Sequence, residues 1–150
     1  FMILFVQVTI YTLYAVISLL LLYFTATFFF GYQFHGSLAV FLGGYLLIIV
    51  SMFSIGMMVG GVAPNTKMAG VISSILYFPM LIFSGATLPY EVMPAALQKI
   101  ADILPLTQGI KLLKSASLGL PVNNMLVPLI VMCVIAIICI AVSLKCFKWE

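Results

Sequence analysis

The side chains that could do acid–base chemistry are few, and most of them lie in one stretch. Only 6% of the 150 residues are charged. The majority fall between residues 89 and 120: Glu91, Lys99, Asp102, Lys111 and Lys114. A serine nucleophile needs a matched base and carboxylate, and no such set accompanies the serines of this sequence. The sequence therefore predicts no catalytic residues and no enzymatic activity.

Motifs for cofactors and metals are also missing from the sequence. No Gly-x-x-x-x-Gly-Lys-Ser/Thr loop is present, so the chain cannot bind a nucleotide through a P-loop. His35 has no Cys, Asp or Glu at ligand spacing, and Cys133 and Cys139 lie in an apolar run where a thiol behaves as a small hydrophobe. We expect no cofactor and no metal in this chain, and any ATP-driven step requires a partner.

The composition is that of a membrane protein. Hydrophobic residues make up 65% of the chain, well above the level of soluble domains. The net charge of +3 is spread too thinly to form the clustered basic face that nucleic-acid binding requires. The lipid bilayer is therefore an expected partner, and nucleic acid is not.

Four uncharged runs are long enough to cross a bilayer, since a core of about 30 Å needs roughly twenty apolar helical residues. They cover residues 1–30, 38–62, 68–88 and 122–144. The first run is too long for a cleaved signal peptide, and its abrupt start suggests the C-terminal part of a longer chain. We predict an all-α membrane protein, a bundle of four transmembrane helices in a single transmembrane domain over residues 1–150.

Two local features predict how these helices pack and bend. Gly56 and Gly60 are four residues apart, the small-residue spacing that lets two helices approach closely. Pro79 lies inside the third run and removes a backbone donor, so we expect a bend there. The aromatic cluster around this proline is either packing or the wall of a cavity: Tyr77, Phe78 and Phe83.

Residues 89–120 do not form a fifth span, because each charged side chain near the bilayer centre costs roughly 2.5 to 3.5 kcal/mol. One apolar face with helical spacing predicts an amphipathic helix: Met93, Leu97, Ile100 and Leu104. Pro94 is tolerated near the first turn of that helix, and Pro105 ends it. A second short helix over residues 106–118 would complete an amphipathic or re-entrant hairpin. The alternative is a surface-lying linker with no further role.

Lysine positions leave the orientation of the chain open, because each membrane face receives three lysines. Lys67, Lys145 and Lys148 share one face, and Lys99, Lys111 and Lys114 share the other. The first set lies closer to the ends of the spans, which favours a cytoplasmic C-terminal tail.

A recurrent family pattern can be read across the third run and the insert. A span ending in Ser-Gly and then a proline is followed by P-x-x-L-x-x-I-x-x-x-L-P and a later glycine. The positions are Ser84, Gly85, Pro89, Pro94, Leu97, Ile100, Leu104, Pro105 and Gly119. In this order of features the chain resembles the permease subunit of the ABC-2 type exporters. The resemblance covers nearly the whole chain and equates the four runs with the third to sixth spans of a six-span permease.

The resemblance implies partners and an orientation. It implies a dimer of permeases, either homodimeric or heterodimeric, with two P-loop ATPase subunits that carry ATP and Mg. It also implies a plasma-membrane location with the C-terminus in the cytoplasm and the insert outside. The main helix that docks on the ATPase precedes the third span in this family, so it lies outside the present sequence.

The resemblance further implies roles for individual residues. The third run would contribute to the translocation path or its outer gate through Tyr77, Phe78, Leu81 and Phe83, with the bend at Pro79 separating the two halves of the span. The motif residues from Ser84 to Pro105 would form a hairpin at the exit of the path.

The function expected from these features is export. The chain would be the membrane-spanning subunit of an ATP-driven exporter acting in efflux or drug resistance. Apolar, aromatic spans without fixed charges favour a hydrophobic or amphipathic cargo, either drug-like or lipid-linked. The alternative is a non-transporting membrane scaffold or assembly subunit, and a membrane-embedded enzyme ranks last.

Overall fold

The computed structural model describes residues 2–146, without the side chains of residues 3 and 4. Within that range the secondary structure is entirely helical. The α-helices are α1 (Met2–Phe30), α2 (Leu38–Val62), α3 (Thr66–Phe83), α4 (Ala95–Ala101), α5 (Pro105–Leu118) and α6 (Asn123–Cys146), with a 3-10 turn at Tyr90–Val92. Lys148, which entered the orientation argument, lies outside the described residues.

Four of these helices are long and apolar enough to cross a membrane. They are Phe5–Phe30 within α1, Leu38–Val62, Thr66–Phe83 and Asn123–Cys146. The prediction of an all-α protein with four membrane-crossing helices is confirmed. Internal contacts divide the chain into two compact units between His35 and Gly36, and the single transmembrane domain stays a prediction.

The first unit consists of α1 and the residues that end it. Three of its threonine hydroxyls bond within the helix and so expose little polarity: Thr9 donates to the Phe5 carbonyl at 2.8 Å, Thr25 to the Leu21 carbonyl at 2.7 Å and Thr27 to the Tyr23 carbonyl at 2.9 Å. The helix stops at Gly31, whose φ of 61° is a left-handed value that glycine adopts without strain. The result is a helix that is apolar on all sides.

The second unit is organised around α2, which packs on both α5 and α6. Ser51 is fully buried where α2 meets α6, and its hydroxyl lies 2.8 Å from the Leu47 carbonyl and 3.2 Å from the Met132 carbonyl. Ser54 donates to the Ser51 carbonyl at 2.7 Å. Small and polar residues thus allow two apolar helices to approach closely, as is typical inside membranes.

Glycines allow α2 and the chain before it to pack closely on α5. A Cβ at Gly44 would lie 3.3 Å from the Leu112 side chain, and one at Gly109 would lie 3.0 Å from Ile48. A Cβ at Gly36 would overlap the Ala116 carbonyl oxygen. The insert between α3 and α6 is therefore packed into this unit, since α5 buries one face against α2.

The third candidate span is shorter than the predicted run over residues 68–88. Asn65 caps its start, where the side chain accepts a bond from the Met68 N–H at 2.8 Å. The helix includes Pro79 and ends at Phe83, followed by Gly85 with a φ of 87°. Because this left-handed turn breaks the helix, the apolar residues that follow do not extend it.

The insert contains two helices, but their boundaries differ from the prediction. The predicted amphipathic helix reaches only from Ala95 to Ala101, because tight turns follow in which Ile103 and Leu104 donate to the carbonyls of Ile100 and Ala101 at 3.2 and 3.0 Å. Pro105 does not end that helix; it is the first residue of α5, where a missing N–H costs nothing. Whether the insert lies on the membrane or re-enters it stays a prediction.

Candidate functional site

Asp102 is the centre of a polar cluster that joins three parts of the insert. The Tyr90 hydroxyl donates to both carboxylate oxygens, at 2.9 and 3.0 Å, and Lys111 Nζ donates to Oδ1 at 2.5 Å. The same ammonium lies 3.8 Å from the centre of the Tyr90 ring. A cation, a phenol and a carboxylate thus connect the 3-10 turn, the end of α4 and the middle of α5.

The electrostatics of this cluster favour its ionised form. Partial burial disfavours the charge on Asp102, but hydrogen bonds from Lys111 and Tyr90 outweigh it and lower the pKa of the carboxyl. Partial burial also disfavours the charge on Lys111, and the bonds to Asp102 and Tyr90 again outweigh it, so its pKa is raised. Both groups therefore stay charged over a wide pH range.

Backbone carbonyls of the insert are held by amide side chains. Gln108 Nε2 donates to the Asp102 carbonyl at 2.6 Å, and Gln98 Nε2 donates to the Tyr90 carbonyl at 3.1 Å. A second ion pair, Lys114 with Glu91 at 2.8 Å, lies in the open. The hydrogen bond from Lys114 lowers the pKa of Glu91. Such an exposed pair contributes little to stability.

A cavity of about 420 Å³ lies beside this cluster, between a polar and an apolar wall. The polar wall consists of Asp102, Gln108, Lys111, Lys114, Ser115 and Asn124. The apolar wall consists of Leu120, Val127, Pro128 and Val131. The sequence did not predict this cavity, because its walls come from the end of α4, from α5 and from α6, and no local pattern connects these segments.

The chain matches a known protein family over most of its length, including the insert. Residues 1–118 match the model of the ABC-2 type transporter family. The chain belongs to that family. The matching range includes the first three candidate spans and both helices of the insert, so the family recognised from Ser84 to Gly119 in the sequence is confirmed.

Individual relatives agree with this assignment. The chain is 34% identical over 90 residues to Nodulation protein J of Rhizobium leguminosarum bv. viciae, covering 60% of this chain and 35% of that protein. It is 29% identical over 108 residues to Nodulation protein J of Rhizobium meliloti, covering 72% and 41%. It is 29% identical over 82 residues to the inner membrane transport permease YhhJ of Escherichia coli, covering 55% and 22%.

The aligned part of this ABC-2 chain thus spans less than half the length of these curated relatives. No solved structure matches the chain. The family and the four apolar helices together describe a multi-pass membrane protein.

The residues predicted for the translocation path lie along the last two turns of α3. Tyr77 and Phe78 are exposed and make an edge-on ring contact, with centroids 6.0 Å apart. Pro79 is exposed as well, while Leu81 and Phe83 are half-buried. The structure brings these five residues together on one helix, and their role in a path stays a prediction.

The residues predicted for the exit hairpin mark turns and helix starts. Ser84 is buried; its hydroxyl donates to the Leu81 carbonyl at 2.9 Å and accepts from the Ala86 N–H at 3.2 Å. Pro89, Pro94 and Leu104 each immediately precede a helical segment. The predicted apolar face is only partly covered, since Met93 is buried, Leu97 and Leu104 are half-buried and Ile100 is exposed.

Gly56 and Gly60, predicted to pack against another helix, face open space. A Cβ at either position would meet nothing within 4 Å. A helix-packing role for them stays a prediction. The close approaches that the structure does contain are at Gly36, Gly44 and Gly109.

Among residues 2–146 no group of three or more His, Cys, Asp or Glu side chains is placed to hold a metal ion. Five titratable side chains of the insert are instead used in ion pairs and hydrogen bonds, and this chemistry orders helices: Tyr90, Glu91, Asp102, Lys111 and Lys114.

Proposed function

We propose that this chain is a part of the membrane-spanning permease of an ATP-driven exporter. The observation that carries the proposal is the match to the ABC-2 type transporter family, which runs through three candidate spans and the insert. The similarity to a protein named as a transport permease supports the same activity.

ATP hydrolysis belongs to a separate P-loop ATPase subunit in this proposal, since the sequence has no P-loop. A second permease copy completes the transporter. The exposed apolar surface of α1 and the open surface at Gly56 and Gly60 support close packing with another chain or with lipid.

The cargo is a hydrophobic or amphipathic compound, either drug-like or lipid-linked, that moves along the outer half of α3. The support is chemical: the exposed side chains there are apolar or aromatic, as at Tyr77 and Phe78. Such surfaces bind apolar compounds better than strongly anionic ones. In this proposal the protein acts in efflux from the cell, with the insert outside the plasma membrane and the C-terminus inside.

Transport assays on Phe78→Ala and Leu81→Ala test the path. Val71→Ala is a matched control, because Val71 is an exposed residue about two turns earlier on the same helix. We expect export to fall in the first two variants and to stay unchanged in the third at equal protein levels. Normal export in both path variants would remove this segment from the path.

Co-purification tests the class of function. We expect the full-length protein to purify with a P-loop ATPase whose hydrolysis responds to a hydrophobic drug. A complex that contains no nucleotide-binding subunit would contradict the exporter proposal and favour a membrane scaffold.

A further inference from the structure

The cavity between α5 and the first turns of α6 is not used in the proposed transport function. We propose that it binds the head group of a bilayer phospholipid that carries an N–H donor, such as phosphatidylethanolamine. This lipid site requires no transport activity, so it stands or fails independently of the exporter proposal.

The first argument is an unsatisfied acceptor. Gln108 lines the cavity, is only 4% exposed and is fixed through its Nε2, which donates to the Asp102 carbonyl. Its Oε1 is buried and receives no hydrogen bond from any described residue of the chain. A buried acceptor without a donor is costly. A ligand donor that reaches Oε1 from the cavity, with a small shift of the Gln108 side chain, removes this cost.

The second argument is that the polar wall carries both signs of charge. Lys114 is exposed on the side chain to 61% and is held only by the open ion pair with Glu91. Its ammonium is therefore accessible to a phosphate, which lysine binds as a point charge. Asp102 and Lys111 neutralise each other at 2.5 Å. A zwitterionic head group, with a phosphate near Lys114 and an ammonium near Gln108, complements this wall.

The third argument is the place of the cavity along α6. Its apolar wall includes Val127, Pro128 and Val131, in the first three turns of a helix that is apolar enough to cross a membrane. Most of the polar wall lies on α5, which carries Lys111 and Lys114 and is not a candidate span; Asp102 follows α4, and Asn124 lies in the first turn of α6. Head groups meet acyl chains at such a boundary, so a lipid presents its polar and apolar parts in the matching order.

These arguments distinguish ethanolamine from choline. Both phospholipids carry the same phosphate and the same acyl chains, but the choline nitrogen has no N–H and cannot donate to Gln108. The selectivity should depend on this donor, because a hydrogen bond to a charged group contributes more than a neutral one.

Native mass spectrometry of the full-length protein, released from nanodiscs with equal amounts of two phospholipids, tests the proposal. We expect ethanolamine lipid to be retained roughly tenfold over choline lipid, the lower end of the scale for one hydrogen bond to a charged group. Dimethylated ethanolamine lipid keeps one N–H and should be retained like the parent lipid. Equal retention of the ethanolamine and choline lipids would overturn the proposal.

Variants locate the site. Val127→Trp fills the mouth of the cavity, and Val134→Trp, also exposed on α6 but outside the cavity, is its control. We expect the preference to vanish in Val127→Trp and in Gln108→Leu and to persist in Val134→Trp. If both cavity variants still prefer ethanolamine lipid over choline lipid, the lipid binds elsewhere and the proposed site is wrong.

Soluble glycerophosphoethanolamine distinguishes a free head group from a lipid. It lacks the acyl chains that would lie along Val127 and Val131, so an excess of it should leave the retained lipid in place. Displacement by this soluble compound would overturn the assignment to a lipid.

Discussion

The Thr107 hydroxyl donates a 3.0 Å hydrogen bond to the backbone carbonyl of Phe83, the last residue of α3. Thr107 lies in the first turn of α5 and is only 1% exposed. The bond therefore joins the insert to the helix that carries the proposed path residues. A displacement of α5 must either move the end of α3 or break this bond.

Thr107→Val should destabilise the protein by about 1 kcal/mol, because it keeps the shape of the side chain and removes the donor. Thr87→Val is the control, since the exposed Thr87 hydroxyl donates to the Leu81 and Ile82 carbonyls near the same helix end. Denaturation by sodium dodecyl sulfate in mixed micelles measures both. An equal loss of unfolding free energy in the two variants would show that the bond from Thr107 to Phe83 stabilises the protein no more than the local bonds of Thr87.

The order of the insert should depend on pH through Asp102 and Lys111. Because the pKa of Asp102 is lower in the folded protein, its charged form stabilises the protein at any pH above the ordinary pKa of 3.8. This stabilisation is lost as the pH falls through the lower pKa of the folded state. Because the pKa of Lys111 is higher in the folded protein, its charged form stabilises the protein at any pH below the ordinary pKa of 10.5. This stabilisation is lost as the pH rises through the higher pKa of the folded state. The insert should therefore stay ordered throughout the neutral range.

Distances between spin labels at Val92→Cys and Leu118→Cys, in a protein whose native cysteines are replaced, check this pH range. Both positions are exposed, so labels should not disturb the cluster. We expect one narrow distance distribution near neutral pH and a broader one at strongly acid pH. Asp102→Asn should show the broad distribution already at pH 7, and a narrow distribution in that variant would contradict the role of the cluster.

The same cluster predicts unequal effects of two similar charge removals. Asp102→Asn should cost about 1 kcal/mol, a value already reduced for its partial exposure to solvent, because two donors, the Tyr90 hydroxyl and the Lys111 ammonium, converge on this carboxylate. Glu91→Gln should cost little, since the pair with Lys114 is exposed. Detergent denaturation compares the two variants. A larger loss of unfolding free energy for Glu91→Gln would contradict the conclusion that Asp102 is the more important carboxylate.

Hydropathy was sufficient to predict the spans, because crossing a bilayer requires only length and the absence of charge. It predicted the insert for the same reason, since Glu91 and Asp102 cannot be buried in hydrocarbon at low cost. The details of the insert required three-dimensional contacts. Periodicity placed Met93 and Ile100 on one helix face, yet Met93 is buried and Ile100 is exposed, because α4 begins only at Ala95 and Met93 ends the preceding 3-10 turn.

The glycines and the cavity show the same limit. Gly56 and Gly60 have the spacing of a packing motif, but close packing also needs a neighbouring helix, and α5 lies against Gly44 and α2 against Gly109 instead. Gln108 gave no signal in the sequence, since its importance comes from a missing donor in three dimensions. Local patterns predict helices, whereas the partners of each face depend on the whole arrangement.

Gly109→Ala tests the close approach of α5 to α2. The new Cβ would lie 3.0 Å from Ile48, so we expect a destabilisation of roughly 1 to 3 kcal/mol from overpacking. Gly56→Ala adds the same methyl group where nothing lies within 4 Å, and it should be neutral or slightly stabilising. Denaturation midpoints that fall equally in both variants would contradict the packing described at Gly109.

Ser51→Ala tests the contact between α2 and α6. The buried Ser51 hydroxyl lies within 3.2 Å of the Met132 carbonyl on the facing helix, and hydrogen bonds between membrane helices contribute roughly 0.6 to 1.7 kcal/mol. Ser74→Ala is the control, because the Ser74 hydroxyl is exposed and donates only to the Gly70 carbonyl of its own helix. A similar unfolding free energy for Ser51→Ala and the unmodified protein would contradict an interhelical role.

Uptake into inside-out membrane vesicles tests the central proposal most directly. Vesicles that contain the full-length protein and its P-loop ATPase should accumulate a hydrophobic fluorescent drug when ATP is added. Replacing the P-loop lysine of the ATPase should abolish this uptake, and Val71→Ala in the permease should leave it intact. Uptake that is the same with and without ATP, at equal protein levels, would contradict an ATP-driven exporter.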